Sequence, residues 1–291
     1  MKIDAAGLDH RELNKRIRAA IESGSDIIQL DHINGQRYIG AGLRSRAKII
    51  INGVPGNDLA AFMDGCELVV NANAQDAAGN TMNSGKIVIH GDARDLIGYS
   101  MRGGKIFISG SVGYRVGIHM KSFKEQVPVL VIGGKAKDFL GEYMAGGIVA
   151  LLGLDLAQAS APQAKASAGA HRVSVHETSG QRAGTTAIGV SSIPRPVVRD
   201  AIAGHSVGTG MHGGCIYVRG TIPEENLGKE AKSLPLTDQD KEVLDPILRE
   251  FAASFGLKLD DLLRAGGAEP YESFTKLLPL TLRPYGRMYA Y

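Results

Sequence analysis

The sequence predicts a mainly β protein wound as a parallel β-helix: a solenoid of about 19-residue coils with an N-terminal helix cap and a helical C-terminal tail. Three observations predict it. Met63, Met82, Met101 and Met120 stand 19 residues apart. Five to seven residues after the first three come apolar triplets: Leu68-Val69-Val70, Ile87-Val88-Ile89 and Ile106-Phe107-Ile108. Small residues bracket each unit, with Ala60, Gly79, Gly98 and Gly117 before the methionines and Ala72, Gly91 and Gly110 closing the first three units. A short apolar run between glycines suits one strand between tight turns. Nineteen residues hold too little chain for a helical hairpin, and Gly-Gly ahead of Ile/Val runs opposes helix. Stacked coils place equivalent residues in columns about 4.8 Å apart, so the methionines and the Ile/Val runs pack on copies of themselves.

Taken in order, the elements begin with a cap over residues 1–38. Residues 9–23 read as an amphipathic helix capped by Asp9, with Leu13, Ile17, Ala20 and Ile21 on one face. Residues 26–33, DIIQLDHI, read as a strand leading into the first coil. A helix at this point would cover the open edge of the stack, where unpaired backbone invites aggregation. The β-helix proper spans 39–220. AKIIINGVPGND aligns with GKIVIHGDARD two periods on, which puts Arg44 in the methionine position. An insertion, KSFKEQVP, delays the strand VLVIG, after which Met144 and Met211 resume the phrase.

Residues 154–206 break the period. LAQASAPQAKASAGAH reads as a loop, RVSVHETSG and TTAIGVSS as short strands, and PRPVVRDAIAG as the start of a short helix. In the C-terminal region, 221–291, Thr237 and Asp240 open a helix that Gly256 ends, bent near Pro246. KLDDLLRAGG reads as a shorter helix, and the Leu-, Pro- and Tyr-rich ending as an extended tail lying on this protein or a partner.

Composition narrows the function. With 44% hydrophobic residues in 291, the chain can bury a core. The net charge is only +3, with 5% aromatic residues and no basic run interleaved with rings, so nucleic-acid binding is not expected. No apolar signal-type segment or membrane span is read, and a cytoplasmic protein with reduced thiols is expected.

The residues that could carry chemistry are few. His90, His119, His171, His176, His205 and His212 fall on different coils or in the insertion, without Cys or carboxylate partners at a metal-ligand spacing. Gly208, Gly210 and Gly213 spell GxGxxG, but a strand follows instead of the helix a dinucleotide site needs. Cys66 and Cys215 belong to adjacent columns several coils apart, too far for a disulfide, and no His/Asp arrangement marks either as a nucleophile. Asp58, Asp76, Asp95 and Asp138 close successive units. They suit turn-backbone hydrogen bonds, with a calcium ladder as the alternative. No catalytic residue and no metal ligand is assigned, and no cofactor-binding residue is identified.

The phrases GDARDLIGYSMRGGKIFISG, FLGEYMAGGIVALLG and VGTGMHGGCIYVRG resemble the repeat of the GXGXG family, which forms the C-terminal domain of the glutamate synthase large subunit. That repeat is also similar to one found in a subunit of formylmethanofuran dehydrogenase. The phrases NGVPGNDLAAFMDG, VGYRVGIHMK and RPYGRMYAY extend the resemblance to stand-alone glutamate synthase domain 3 proteins. The resemblance implies a right-handed β-helix without catalytic residues. It implies a scaffold subunit that assembles with a glutaminase-type amidotransferase subunit, an FMN-containing synthase subunit and a ferredoxin-like subunit. FMN and iron–sulfur clusters would reside on those partners and none on this chain, and a homo-oligomer is compatible with it. One alternative is the same role in a formylmethanofuran dehydrogenase or formyltransferase/hydrolase-type complex. Another is a free-standing β-helix hydrolase or lyase, which requires carboxylates clustered on one outer face.

Overall fold

The computed structural model describes residues 1–155, 195–196, 201–265 and 269–280. Strand β1 (Lys2–Asp4) and helix α1 (His10–Glu22) precede the coils. One strand of each coil then enters a single sheet: β2 (Ile27–Asn34), β3 (Lys48–Val54), β4 (Asp64–Val70), β5 (Ser84–Ile89), β6 (Lys105–Ile108), β7 (Val129–Ile132) and β8 (Ala145–Leu151). Strands β9 (Leu154–Asp155) and β10 (Arg195–Pro196) form a separate antiparallel pair. Strand β11 (Gly213–Arg219) rejoins the stack beside β8, followed by β12 (Ala231–Pro235), α2 (Asp238–Ser254), α3 (Leu259–Leu263) and β13 (Phe274–Pro279). The strands from β1 to β8, then β11, are mutually parallel, and β13 and β12 close the sheet antiparallel. The protein is therefore mainly β, a parallel β-solenoid of about six turns with three helices among the described residues.

Register follows the sequence period. Lys48 pairs with Glu67, Glu67 with Lys86 and Lys86 with Lys105. Alternate residues, such as Ile87 and Ile89 or Ile106 and Ile108, turn into the coil and are fully buried. Met63, Met82, Met101, Met120, Met144 and Met211 fill the same core. Between them, glycine admits the next coil: a Cβ at Gly85 would lie 2.3 Å from the Cys66 carbonyl oxygen.

The first coil corrects one alignment. The Asp64 N–H donates to Leu43 O, as the Asn83 N–H does to Met63 O, so Leu43 and not Arg44 fills the methionine slot. Leu43 is buried, while Arg44 is exposed beside Asp64. Arg44 bridges Asp64, whereas Lys48 pairs with Glu67, so the extra residue of that coil is absorbed between Arg44 and Lys48.

Both ends of the stack are closed by mimicry. In later coils the carbonyls of Asn57 and Ala61 accept N–H groups from the coil before. The equivalent carbonyls of the first coil, Arg37 and Ala41, accept instead from Asn14 Nδ2 (3.1 Å) and Arg18 Nη2 (2.6 Å), one turn apart on α1. At the other end, Gly210 N–H donates to Glu230 Oε2 (2.9 Å) and Gly228 N–H to Val207 O (2.7 Å), where a further coil would have bonded. Helix α1 begins at Asp9, whose carboxylate accepts from Arg11 and Glu12 N–H, and it buries Leu13, Ile17 and Ala20.

Helix α2 begins with the capping box of Thr237 and Asp240 and contains Pro246. It lies on the outer face of the sheet, where Leu244, Leu248, Phe251 and Phe255 cover Val88, Phe107, Val131 and Tyr217 in a second core. Phe274–Pro279, the start of the tail expected to lie extended on this protein or a partner, pairs into the sheet, and Ala231–Pro235 adds a strand beside it that the sequence did not announce. Hydrogen bonding to β11 explains this, since the last parallel strand otherwise leaves its ladder groups unpaired. In the segment expected to start a short helix, Arg195–Pro196 is strand. The loop and both short strands expected between them fall on 156–194, outside the described residues, as do tail residues 281–291.

Candidate interaction face

Opposite ends of the same coil are built differently. Between the strands, the chain turns through stretches 38–42, 58–62, 77–81, 96–100, 115–119, 139–143 and 206–210. The first, third and fifth residue of each has φ between 51° and 77°, the left-handed region. The middle position is glycine except at Ala60, but the outer two include Tyr38, Phe62, Leu96, Arg115, His119, Phe139 and Tyr143. Side chains there are disfavoured by about 1–2 kcal/mol per residue. Inter-coil hydrogen bonds hold the backbone in place. Phe139 and Tyr143 N–H donate forward to His205 O (2.9 Å) and Thr209 O (2.8 Å), while Gly141 N–H donates back to Val116 O (2.8 Å). Overlapping turns, with Glu142 N–H to Phe139 O and Met144 N–H to Gly141 O, complete the corner.

This corner carries exposed rings. Tyr99 meets His119 edge-on at 6.0 Å, and His119 stacks on Tyr143 at 5.3 Å with planes 12° apart. Arg115 lies over the Phe139 ring at 4.7 Å and pairs with the nearly buried Glu142. Lys137 lies over Tyr114 at 4.9 Å. Phe62 is also exposed, and Phe123 projects from the insertion after Met120.

The residues singled out in the sequence take their places around this frame. Asp76, Asp95 and Asp138 accept backbone N–H groups from Asp95, Tyr114 and His205 of the following coil. Asp58 lies one column over and accepts from Asn80 Nδ2 (3.0 Å). A second ladder repeats the device: Asn73 accepts from Asp92 N–H, and Asp92 from Ser111 N–H. The carboxylates on this outer side thus serve the stack, which weakens the hydrolase or lyase reading. His90 packs edge-on against Phe255 at 5.0 Å, and His212 Nδ1 lies 3.1 Å from Gly210 O. His171 and His176 lie outside the described residues. The GxGxxG of Gly208, Gly210 and Gly213 is a coil corner running directly into β11. Among the described residues, no three His, Cys, Asp or Glu side chains gather to hold a metal ion.

Cys66 and Cys215 are free thiols. Burial raises the Cys66 thiol and pushes Cys215 up to about 12, so neither is a thiolate nucleophile at neutral pH. Beside Cys215 lies a polar knot that the sequence did not reveal. Asp240 accepts from Tyr217 Oη (3.0 Å) and from Thr237 N–H (2.7 Å) and pairs with Lys276. Burial pushes the Asp240 carboxyl up, but the Lys276 and Thr237 hydrogen bonds outweigh it and hold the carboxyl well below its ordinary value. Burial also raises the Tyr217 phenol. The knot ties α2, β11 and β13 together, and every group in it has a partner. Towards the other end of α2, Lys48, Glu67, Lys86 and Glu250 rim a cavity of about 350 Å³, with a Lys48–Glu67 distance of 3.0 Å and a Lys86–Glu250 distance of 3.7 Å.

These features define a capped parallel β-solenoid whose turns alternate left-handed residues, with an aromatic corner on one side and a helix clasp on another. The chain belongs to the GXGXG motif family, whose profile matches residues 11–280. It is the family to which the resemblance to the C-terminal domain of the glutamate synthase large subunit pointed. The recurring glycines of the motif occupy left-handed positions, as at Gly40-x-Gly42 and Gly208-x-Gly210. The chain is also similar to the uncharacterized protein MJ1350 of Methanocaldococcus jannaschii, at 42% identity over 290 residues, covering 99% of this chain and 95% of the relative. Among the described residues, no helix is long and apolar enough to cross a membrane.

Proposed function

We propose that this protein is a non-catalytic scaffold subunit of a glutamate-synthase-like amidotransferase/oxidoreductase complex in the cytoplasm. Its partners in this reading are a glutaminase-type subunit, an FMN-containing synthase subunit and a ferredoxin-like iron–sulfur subunit. Family membership supports the glutamate-synthase connection. The observation that carries the scaffold role is the division of labour within each coil. Candidate carboxylates are engaged in coil-to-coil hydrogen bonds, while a contiguous set of rings faces outward with nothing of this chain's described residues upon it. Large exposed aromatic patches on a rigid body mark protein contacts more often than chemistry.

The test is to assay the purified chain for glutamine hydrolysis and for dye-linked electron transfer, alone and then with candidate partner subunits. No turnover alone, and a stable co-eluting assembly with the partners, is expected. Turnover by the isolated chain on the order of 1 s⁻¹ would overturn the reading.

A further inference from the structure

We infer that the aromatic corner from Phe62 to Tyr143, with the cations beside it, is the docking surface for an acidic segment of a partner subunit. This rests on the scaffold reading and gives it a place on the molecule. Four observations carry it. First, Phe62, His119 and Tyr143 occupy positions with φ of 56°, 57° and 52°, where glycine would be unstrained. Bulky side chains kept at strained, outward positions point to use of those side chains outside the fold. Second, Phe62 and Tyr143 are 57% and 40% exposed, and Phe123 is 58% exposed, whereas the rings on the sheet face are covered by α2.

Third, Tyr99, His119 and Tyr143 brace one another, so the rings present a pre-arranged surface. Fourth, the neighbouring column is basic where it runs beside Tyr99 and His119. Arg102 and Lys121 occupy equivalent positions on adjacent coils, their N–H groups bonding to Met82 O and Met101 O. Lys124 adds a third cation over Phe123 at 5.3 Å, while further along the column Asn83 and Asp64 replace the cations. Arg102, Lys121 and Lys124 are exposed, and none of the three is ion-paired among the described residues. Tyr, Phe and Arg are the side chains that dominate protein interfaces, and unpaired cations select carboxylates. A protein segment is favoured over a nucleic acid because the rings stack on one another instead of lying open to bases, and the net charge is only +3.

The experiment uses the full chain, tagged and isolated from its native cells with its bound subunits. Treatment with a carbodiimide joins lysine amines directly to carboxylates, and mass spectrometry identifies the joined peptides. Expected are links from Lys121 and Lys124 to Asp- or Glu-rich segments of a partner. Recovery of that partner should fall about ten-fold in Arg102→Glu/Lys121→Glu and stay unchanged in Arg16→Glu on α1. A second variant, Phe62→Gly/Tyr143→Gly, removes rings at positions glycine prefers. It should lose the partner while its melting temperature stays within about 3 °C of the parent. Links confined to another face, or full recovery with the charge-reversal variant, overturn the docking surface but leave the scaffold reading standing. Links between two copies of this chain, or loss of binding on nuclease treatment, overturn it in favour of those occupants. Absence of any bound subunit from the parent protein overturns both.

Discussion

The sheet face and the left-handed corner belong to the same coils, yet they meet the outside in opposite ways. On the sheet face, Phe107, Val131 and Tyr217 turn away from the coil interior and are covered by Leu248 and Phe251 of α2. Phe107 meets Phe251 at 5.7 Å in an edge arrangement. On the corner, Tyr99 and Tyr143 also turn away from the interior, but they stay exposed. Among the described residues, the chain thus supplies a cover for one apolar surface and none for the other. The faces also differ in what holds their backbone. The sheet face uses extended residues that any side chain of β character accepts. The corner imposes positive φ on tyrosine, phenylalanine and histidine, and bonds to neighbouring coils together with the overlapping turns keep it there.

The difference can be broken from the covered side. Phe251→Ala removes a fully buried ring from the clasp, and a loss of about 4 kcal/mol is expected, read as an earlier denaturant midpoint. A dye specific for exposed apolar surface should then bind the sheet face as well. Asp240→Asn attacks the same clasp through its polar knot and leaves Lys276, 12% exposed, without its counter-charge. A loss of about 3 kcal/mol is expected.

The same carboxyl predicts a pH dependence. Its folded pKa lies below the ordinary value of about 3.9, so its stabilisation is complete above about pH 5 and is lost as pH falls through 4 and lower. Thermal melts from pH 7 to pH 3 should show a shallower acid limb in Asp240→Asn than in the parent.

Smaller changes sharpen the corner. Gly141→Ala keeps a left-handed residue and places a Cβ 2.5 Å from Ile216 Cδ1, so a loss of about 2 kcal/mol is expected. Ala60 fills the equivalent slot of another coil with φ of 58°, which argues against a larger penalty. Glu230→Gln weakens the carboxylate that receives Gly210 N–H at the end of the stack. A loss of about 1 kcal/mol and faster amide exchange at Gly210 are expected. An unchanged exchange rate would show that Glu230 does not stand in for the missing coil.

The core of the solenoid was legible because its physics repeats. A parallel stack sets each residue over its counterpart one period on, so the methionine and Ile/Val columns had to recur in the sequence at the same interval. The helices α1 and α2 were legible from the Asp9 cap, the Thr237–Asp240 box and their apolar faces, which are local signals. The mis-set first coil shows where such reading slips. One extra residue between Arg44 and Lys48 moved Leu43 into the methionine column and Arg44 out of it, and no local signal marks that shift. The corner was half legible: glycine marked its middle position, but tyrosine and arginine are not residues from which positive φ is read.

What the sequence by itself determined is the period, and with it the identity of the buried columns, because repetition along the chain becomes stacking in space. Only the tertiary structure decided which outward residues are covered and which are bare. Strands β12 and β13 and helix α2 come from the far end of the chain. Where α2 comes to rest depends on the summed burial and on the Asp240 knot, with its Lys276 and Tyr217 partners, not on any local pattern. The aromatic corner, likewise, exists as a surface only because Tyr99, His119 and Tyr143, on three successive coils, are brought within ring contact by the winding.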